Sequence, residues 1–554
     1  MNINKTVLPY IILSLSSFSL LAQTTLVKNV QGYTLNGDQL QKFSALQFTD
    51  DTIDKLYAYD EKITSDKDWK IIDGKGATLL PGLIDAHGHV LSYGQSLMQA
   101  DLVGTTSEKQ AVARALEYAK KNTSATWITG RGWNQVQWSN KRFPTAKQLD
   151  EAFPEQPVWL ERVDGHAGWA NSKAMALAGI TSATQSPKGG DIIKDAQGQP
   201  TGIFIDNAMA LIKQHIADPT LSQQKDILIK AMKSLASVGL TSVHDAGIDS
   251  QNLKAFQELS HEKKMPIRIN AMLYLPSAQW EKTLNKGTFS TADNMLSFNS
   301  VKIQADGALG SRGAALIADY SDHAGHKGLL LHDEKSLNHY IATAMNAGFQ
   351  VNTHAIGDNA NKIALDLYQA NIDKTNSKAL RHRIEHAQIL RLKDIPRFAA
   401  LGVIASMQAT HATSDKNMAV ERIGEERILG AYAWRKLLNA KAVIAAGSDF
   451  PVESPNPFYG LHASVTRQDK ENAPQGGWYA NEKMTRIEAL KSFTLDAAYS
   501  GHQENIIGSL AAGKKADFIL LAQNYFLMPE TKIWKNSVIS TWVNGVEVFH
   551  KSKN

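Results

Sequence analysis

A short apolar run, Leu79 to Ile84, ends abruptly in Asp85-Ala86-His87-Gly88-His89, and this junction constrains the chain more than any other stretch. The run reads as a buried strand. Side chains alternate faces along a strand, so His87 and His89 point the same way. Two imidazoles on one face, with the small residues Ala86 and Gly88 beside them, make half of a rigid metal site, and neutral imidazole suits zinc and other borderline divalent ions. Taken alone, a His-x-His at a strand end is equally well read as two surface or core histidines. The rest of the chain decides between these readings.

Further apolar runs alternate with amphipathic helical stretches: Leu240 to His244, Ile267 to Leu273, Ser300 to Ile303, Gln350 to Thr353, Arg383 to His386, Val403 to Met407 and Val443 to Ala446. With the opening run they make eight, the number a parallel (β/α)8 TIM-like barrel needs. The expected fold is therefore α/β, with residues 81–500 forming the barrel. From the second run onward the spacing is roughly 30 to 50 residues, near the ~30 of one strand–helix unit. About 150 residues separate the first two runs, far too many for a single crossover. The excess, about 124–217, reads as a large insertion after strand 1. It follows the end of the barrel where active sites sit, so it is placed as a roof.

Both chain ends are strand-like, with Thr25-Leu26-Val27 and Ala45 to Phe48 near the start and Ala516 to Leu521 near the finish. Asn544-Gly545 is a hairpin turn signal inside the last strand-rich segment. Residues 23–80 and 501–554 are expected to meet in a small β-sandwich domain. Before them, residues 1–22 have Lys5, an apolar Ser-rich stretch and Ser19-Leu20-Leu21-Ala22, the pattern of a signal peptide. Export to the periplasm is the expectation, with no membrane association after cleavage. The net charge of +5 over 554 residues, without a long basic run, argues against nucleic acid and membrane surfaces as partners. There is no cysteine, which excludes a lipid-anchored lipoprotein, disulfides, thiol catalysis and Cys-ligated zinc.

Ligand-type residues recur at the ends of the runs: His87 and His89, Lys302 within the fourth, His354 after the fifth, Glu385-His386 closing the sixth and Asp449 after the eighth. Four histidines and an aspartate at one end of a barrel are a plausible cradle for one or two divalent ions, with a carboxylate left to manage a proton. Around them, Asp164 and His166 fit substrate contact from the roof, or a simple turn and helix cap. Arg312 fits a clamp on a carboxylate or oxyanion, or a tie to Asp319 or Asp322. Gln408 and His411 follow the seventh run on the active face and fit substrate contact. Trp133 fits a pocket wall or insertion core. His244 and Asp245 fit support for the ligands.

The stretches PGLIDAHGHV, VKIQADGALGSRGAAL, VNTHAIGD, RIEHAQ, AAGSDFPVES and GSLAAGKKADFILL resemble the amidohydrolase superfamily. GRGWNQVQW, VDGHAGWANS and DGALGSRGAAL are similar to its amidohydrolase-3 branch, which includes N-substituted formamide deformylases. The resemblance implies that His87, His89 and Asp449 hold one metal and that His354 and His386 hold a second. It implies that Lys302 is a carboxylated lysine bridging them; an unmodified amine paired with Asp306 is the alternative. The implied function is a metal-dependent amidohydrolase acting on a non-peptide C–N bond of a small molecule, in an amide, N-acyl or N-formyl group. Asp449 would be the catalytic base and then acid, and zinc the default metal. A deaminase or dipeptidase variant and a non-catalytic exported binding or regulatory protein are the alternatives. A homodimer is compatible with all of them.

Overall fold

The computed structural model describes residues 22–123, 125–217 and 219–552. The expected leader, residues 1–22, lies outside these apart from Ala22. No helix among the described residues is long and apolar enough to cross a membrane.

The barrel strands are β1 (Leu83–Gly88), β2 (Leu240–Ile248), β3 (Arg268–Leu275), β4 (Leu296–Gln304), β5 (Gln350–Ala355), β6 (Arg383–His386), β7 (Ile404–Gln408) and β8 (Ile444–Gly447). They lie side by side in chain order and all neighbouring pairs are parallel. The circle is nearly closed where Asp449 N donates to His87 O at 2.7 Å and His89 N to Phe450 O at 2.9 Å. Strands buried on both faces read as continuous apolar runs, which is why these eight stand out in the sequence. Helices cover the outside. The helix Leu221–Ser237 starts at a capping box between Thr220 and Gln223 and turns Ile227, Leu228, Ala231, Met232 and Leu235 inward. Gly239, at φ 90°, then reverses the chain into β2.

The opening apolar run is not one strand, as expected, but two. Thr78–Pro81 pairs with Phe518–Leu521 in a sheet outside the barrel, and β1 begins at Leu83. Pro81 has no amide hydrogen to continue a ladder, and Gly82 passes against the side chain of Thr241 where a Cβ would collide. The strand therefore changes sheets at Pro81-Gly82.

That outer sheet runs Val546–His550, Val538–Val543, Phe518–Leu521, Thr78–Pro81, Gln31–Asn36, Gln39–Phe43, so it takes strands from both chain ends. A four-stranded sheet of Thr52–Tyr57, Ala45–Thr49, Thr24–Lys28 and Lys70–Asp73 shares its core through Leu46, Phe48, Phe518 and Trp542. A buried ion pair ties this unit to the barrel: Arg268 on β3 donates to Asp517 at 2.7 and 3.0 Å.

Residues 100–206 build a further six-stranded sheet, from Ala100–Asp101 to Pro200–Asp206, so the insertion starts well before residue 124. Its core holds Leu160, Trp138 and Trp169 together with Trp133. The pocket-wall role for Trp133 is thereby corrected: its ring is fully buried and Nε1 donates to Leu160 O at 2.8 Å. An indole that satisfies its one donor internally has nothing left to offer a ligand.

Candidate active site

The barrel strands carry their polar residues to one end, and there the inward side chains converge. His87 is fully buried, and its Nδ1 bonds Glu385 of β6, leaving Nε2 to face Lys302 Nζ at 3.2 Å and Asp449 Oδ1 at 3.5 Å. His89 Nε2 lies 3.0 Å from the same Asp449 oxygen, and His411 Nε2 lies 3.6 Å from Oδ2. The imidazole of His386 is fixed by Gln408, whose Oε1 is 2.8 Å from Nδ1, and its ring stacks on His411 and stands 4.5 Å from that of His354. His386 (φ 74°) and Asp449 (φ 60°) both occupy left-handed backbone, a region non-glycine residues rarely adopt and one that recurs at functional sites.

Electrostatics follows from this crowding. Burial and the adjacent Lys302 push His87 down to about 4. Burial, with Arg383 nearby, depresses the Lys302 amine. Burial opposes the charge on Asp449, yet His87, His89 and His386 hold its carboxyl well below the usual range. Asp85 supports β1 from behind: it accepts from His87 N at 3.0 Å and Ser448 Oγ at 2.6 Å, and burial lifts it to about 7.

Among the described residues, two sets of three donors lie within 4.8 Å of one another: His87, His89 and Asp449, and His386, His411 and Asp449. His411, expected only to touch substrate, thus joins the second group, whereas His354 Nε2 is 3.4 Å from Asp306 Oδ1. Lys302 does not pair with Asp306, whose carboxylate accepts the amides of Ala315, Ile356 and Gly357 at 2.8 to 3.0 Å. Gln408 serves His386 rather than a ligand and does not line the cavity. Arg312 turns away to Asp322, with Nη2 to Oδ2 at 2.8 Å, so its clamp reading is replaced by the tie to that aspartate. His244 accepts from Arg383 Nη1 at 3.0 Å, and Asp245 from Val90 N at 3.1 Å.

Above the convergence lies a cavity of about 930 Å³, floored by Lys302, His354, His386 and Asp449 and walled on one side by insertion residues, Asp164 and His166 among them. Asp164 caps the turn by accepting His166 N at 3.1 Å and is paired with Arg162, so it shapes the wall. Burial works against a charge on His166, but Asp206, 2.5 Å from Nδ1, lifts it to about 9. Glu385 enters the sequence reading only as a ligand-type residue without a role, and Asp206 and Asp85 are given no role in it. Glu385 stands beside His386 in the RIEHAQ stretch, a signal that was available; Asp206, 40 residues from His166, offered none.

Comparison with known proteins bears on this arrangement. The model of the amidohydrolase family matches residues 70–549. The protein LONG AFTER FAR-RED 3 of Arabidopsis thaliana is 34% identical over 86% of this chain and 83% of its own. The N-substituted formamide deformylase of Arthrobacter pascens is 25% identical over 86% of this chain and 90% of its own. A crystal structure of an uncharacterized metal-dependent hydrolase from Pyrococcus horikoshii superposes with a TM-score of 0.74 at 26% identity, covering 92% of this chain and 99% of that one. Since the family model runs through every strand of the barrel and on into the C-terminal strands of the outer sheet, the chain belongs to the amidohydrolase family.

Proposed function

We propose that the protein is a metal-dependent amidohydrolase that hydrolyses a non-peptide C–N bond in a small molecule, of the amide, N-acyl or N-formyl class. The observation that carries the reading is Asp449, one carboxylate set between His87, His89 and His411 at 3.0 to 3.6 Å. The donor chemistry fits a divalent ion. Among the described residues, His354 Nε2 and His411 Nε2 are buried and make no hydrogen bond to the carboxylate oxygens 3.4 and 3.6 Å away, an arrangement that costs free energy unless something else engages them. His87, His89 and Asp449 would hold one ion and His386 with His354 or His411 a second; zinc is the default for this set. When bound, such an ion lowers the pKa of water to about 7 and polarises a carbonyl.

The chain's own residues then handle the substrate and the protons. Asp449, held ionised by the surrounding imidazoles, takes a proton from the attacking water and delivers it to the leaving nitrogen. The C–O bond forms, the C–N bond breaks, and the products are an acid and an amine. Glu385 fixes the tautomer of His87, and Gln408 that of His386. Lys302, buried, with its amine depressed and close to His87, is suited to add carbon dioxide at Nζ with loss of a proton, and the resulting carbamate would offer an anionic oxygen to an ion. The insertion supplies the wall that selects substrate. Export to the periplasm through residues 1–22 and a homodimeric assembly complete the proposal.

The test is Asp449→Asn, assayed against wild type on a panel of N-formyl and N-acyl amines. Loss of hydrolysis with an intact fold supports the role of Asp449. Hydrolysis at the wild-type rate refutes it, and a loaded wild type that turns over no panel member refutes the C–N assignment and brings the binding-protein alternative forward.

A further inference from the structure

His166 is held more completely than a wall residue needs to be. It lies between the insertion strands Val158–Arg162 and Ala167–Ala170. Its amide donates to Asp164 Oδ1 at 3.1 Å, its carbonyl accepts Asp206 N at 3.1 Å, and its Nδ1 meets Asp206 Oδ1 at 2.5 Å. Every polar atom but Nε2 is therefore engaged. Among the described residues no protein group hydrogen-bonds Nε2, and the side chain lines the cavity with its ring 6.0 Å from that of His354.

Asp206 is an unusual partner. Its side chain is 3% exposed, and among the described residues Oδ2 has no hydrogen-bond partner. It ends the strand Pro200–Asp206 at φ 45°, ψ −122°, a conformation costly for a non-glycine residue. The loop after β4 carries glycine where this carboxylate approaches: a Cβ on Gly307 or Gly313 would stand 3.2 or 3.1 Å from Oδ2. A buried carboxylate with one side-chain partner, on strained backbone, does nothing for stability that an apolar residue would not do better. What it does accomplish is to fix the imidazole plane and, with a carboxylate oxygen 2.5 Å from Nδ1, to favour the doubly protonated ring, so that an N–H at Nε2 is left for the cavity.

We infer that His166, aimed by Asp206, is a substrate-binding residue that donates a hydrogen bond from Nε2 to the acyl oxygen beside the scissile bond. This rests on the hydrolase reading and deepens it: the barrel supplies the base and the ligands, and the insertion supplies the donor to the oxygen on which charge develops. Asp206 is the positioning residue. The substrate class that follows has a compact acyl or formyl group, because its oxygen must reach His166 while its carbon faces Asp449.

The experiment uses the full-length, metal-loaded protein and its His166→Ala, His166→Gln and Asp206→Asn variants. Acetate, the product-type ligand, is titrated calorimetrically into each, and kcat/KM is measured on the amine panel with metal content as the control. Expected is acetate binding weaker by about tenfold in His166→Ala, the loss of one hydrogen bond to a charged group. For kcat/KM the expected loss is ~10²-fold, as for removal of an oxyanion donor. His166→Gln recovers part of both, Asp206→Asn shows a smaller loss, and metal content is unchanged throughout. The inference is overturned if folded His166→Ala matches wild type in acetate binding and kcat/KM, if His166→Gln recovers neither, or if wild type binds no acetate. A wild type that binds acetate through His166 but hydrolyses nothing would sink the hydrolase reading while leaving the donor role intact.

Discussion

Replacing Glu385 by glutamine tests whether the barrel interior fixes its metal ligands from behind. Glu385 is fully buried and accepts the Nδ1 proton of His87 with one oxygen. The guanidinium of Arg383 lies alongside, 3.1 Å from that same oxygen, and reaches on to Ala86 O at 2.6 Å and Ser406 Oγ at 2.8 Å. Arg383 and His87 hold the carboxyl well below the usual range against the effect of burial. Glutamine keeps an acceptor for His87 but removes the charge that makes the ring a stronger donor to an ion. Loss of such an outer partner typically lowers metal affinity 10- to 100-fold; with the hydrogen bond retained, about tenfold is expected, or ~1.4 kcal/mol. Arg383 is also left as an uncompensated buried cation, which costs about 3–5 kcal/mol of stability. The assay is zinc titration against a competing chelator, beside thermal unfolding of the metal-free variant. An unchanged zinc dissociation constant in a folded variant would refute the positioning role, whatever happens to stability.

Three other outcomes follow from the geometry. Asp517→Ala strands the buried Arg268 guanidinium between barrel and outer sheet and is expected to cost about 3–5 kcal/mol in denaturant unfolding; a loss below 1 kcal/mol would show that the link is dispensable. Arg312→Ala breaks only a partly exposed pair, so kcat/KM stays at the wild-type level and stability changes by about 1 kcal/mol or less. His382 accepts Val351 N at 3.0 Å, and burial pushes it down to about 3, below the ~6.5 of an unfolded histidine. Its contribution to stability is complete above that unfolded value and is lost as pH falls toward the folded one, about 2 kcal/mol between pH 7 and pH 5. Denaturant unfolding of wild type and His382→Gln at the two pH values checks this, with a shallower dependence expected in the variant.

The eight barrel strands were legible because strands buried on both faces have little freedom except to be apolar, and because ligand-type residues recur at one end of them. The place where the first run breaks was not, since a change of sheet at Pro81-Gly82 depends on Thr241 packing against Gly82 from far along the chain. Arg312 and Trp133 show the limit for single residues: a guanidinium and an indole each fit a pocket or a structural tie, and only Asp322 and Leu160 O decide. Gln408 lies on the expected face, but its partner is His386 on the neighbouring strand rather than substrate, a contact that spacing does not carry. Asp206 and Glu385 act through histidines 40 and 298 residues away, separations at which spacing carries no information.

The most direct measurement is divalent metal per chain, by elemental analysis, in wild type and in a His87→Asn, His89→Asn double variant, each stripped by chelator and reloaded with zinc. One or two ions bound per wild-type chain, with at least one lost in the double variant and hydrolysis returning on reloading, is the predicted result. No retained metal in folded wild type, or equal metal in the two proteins, would contradict the account.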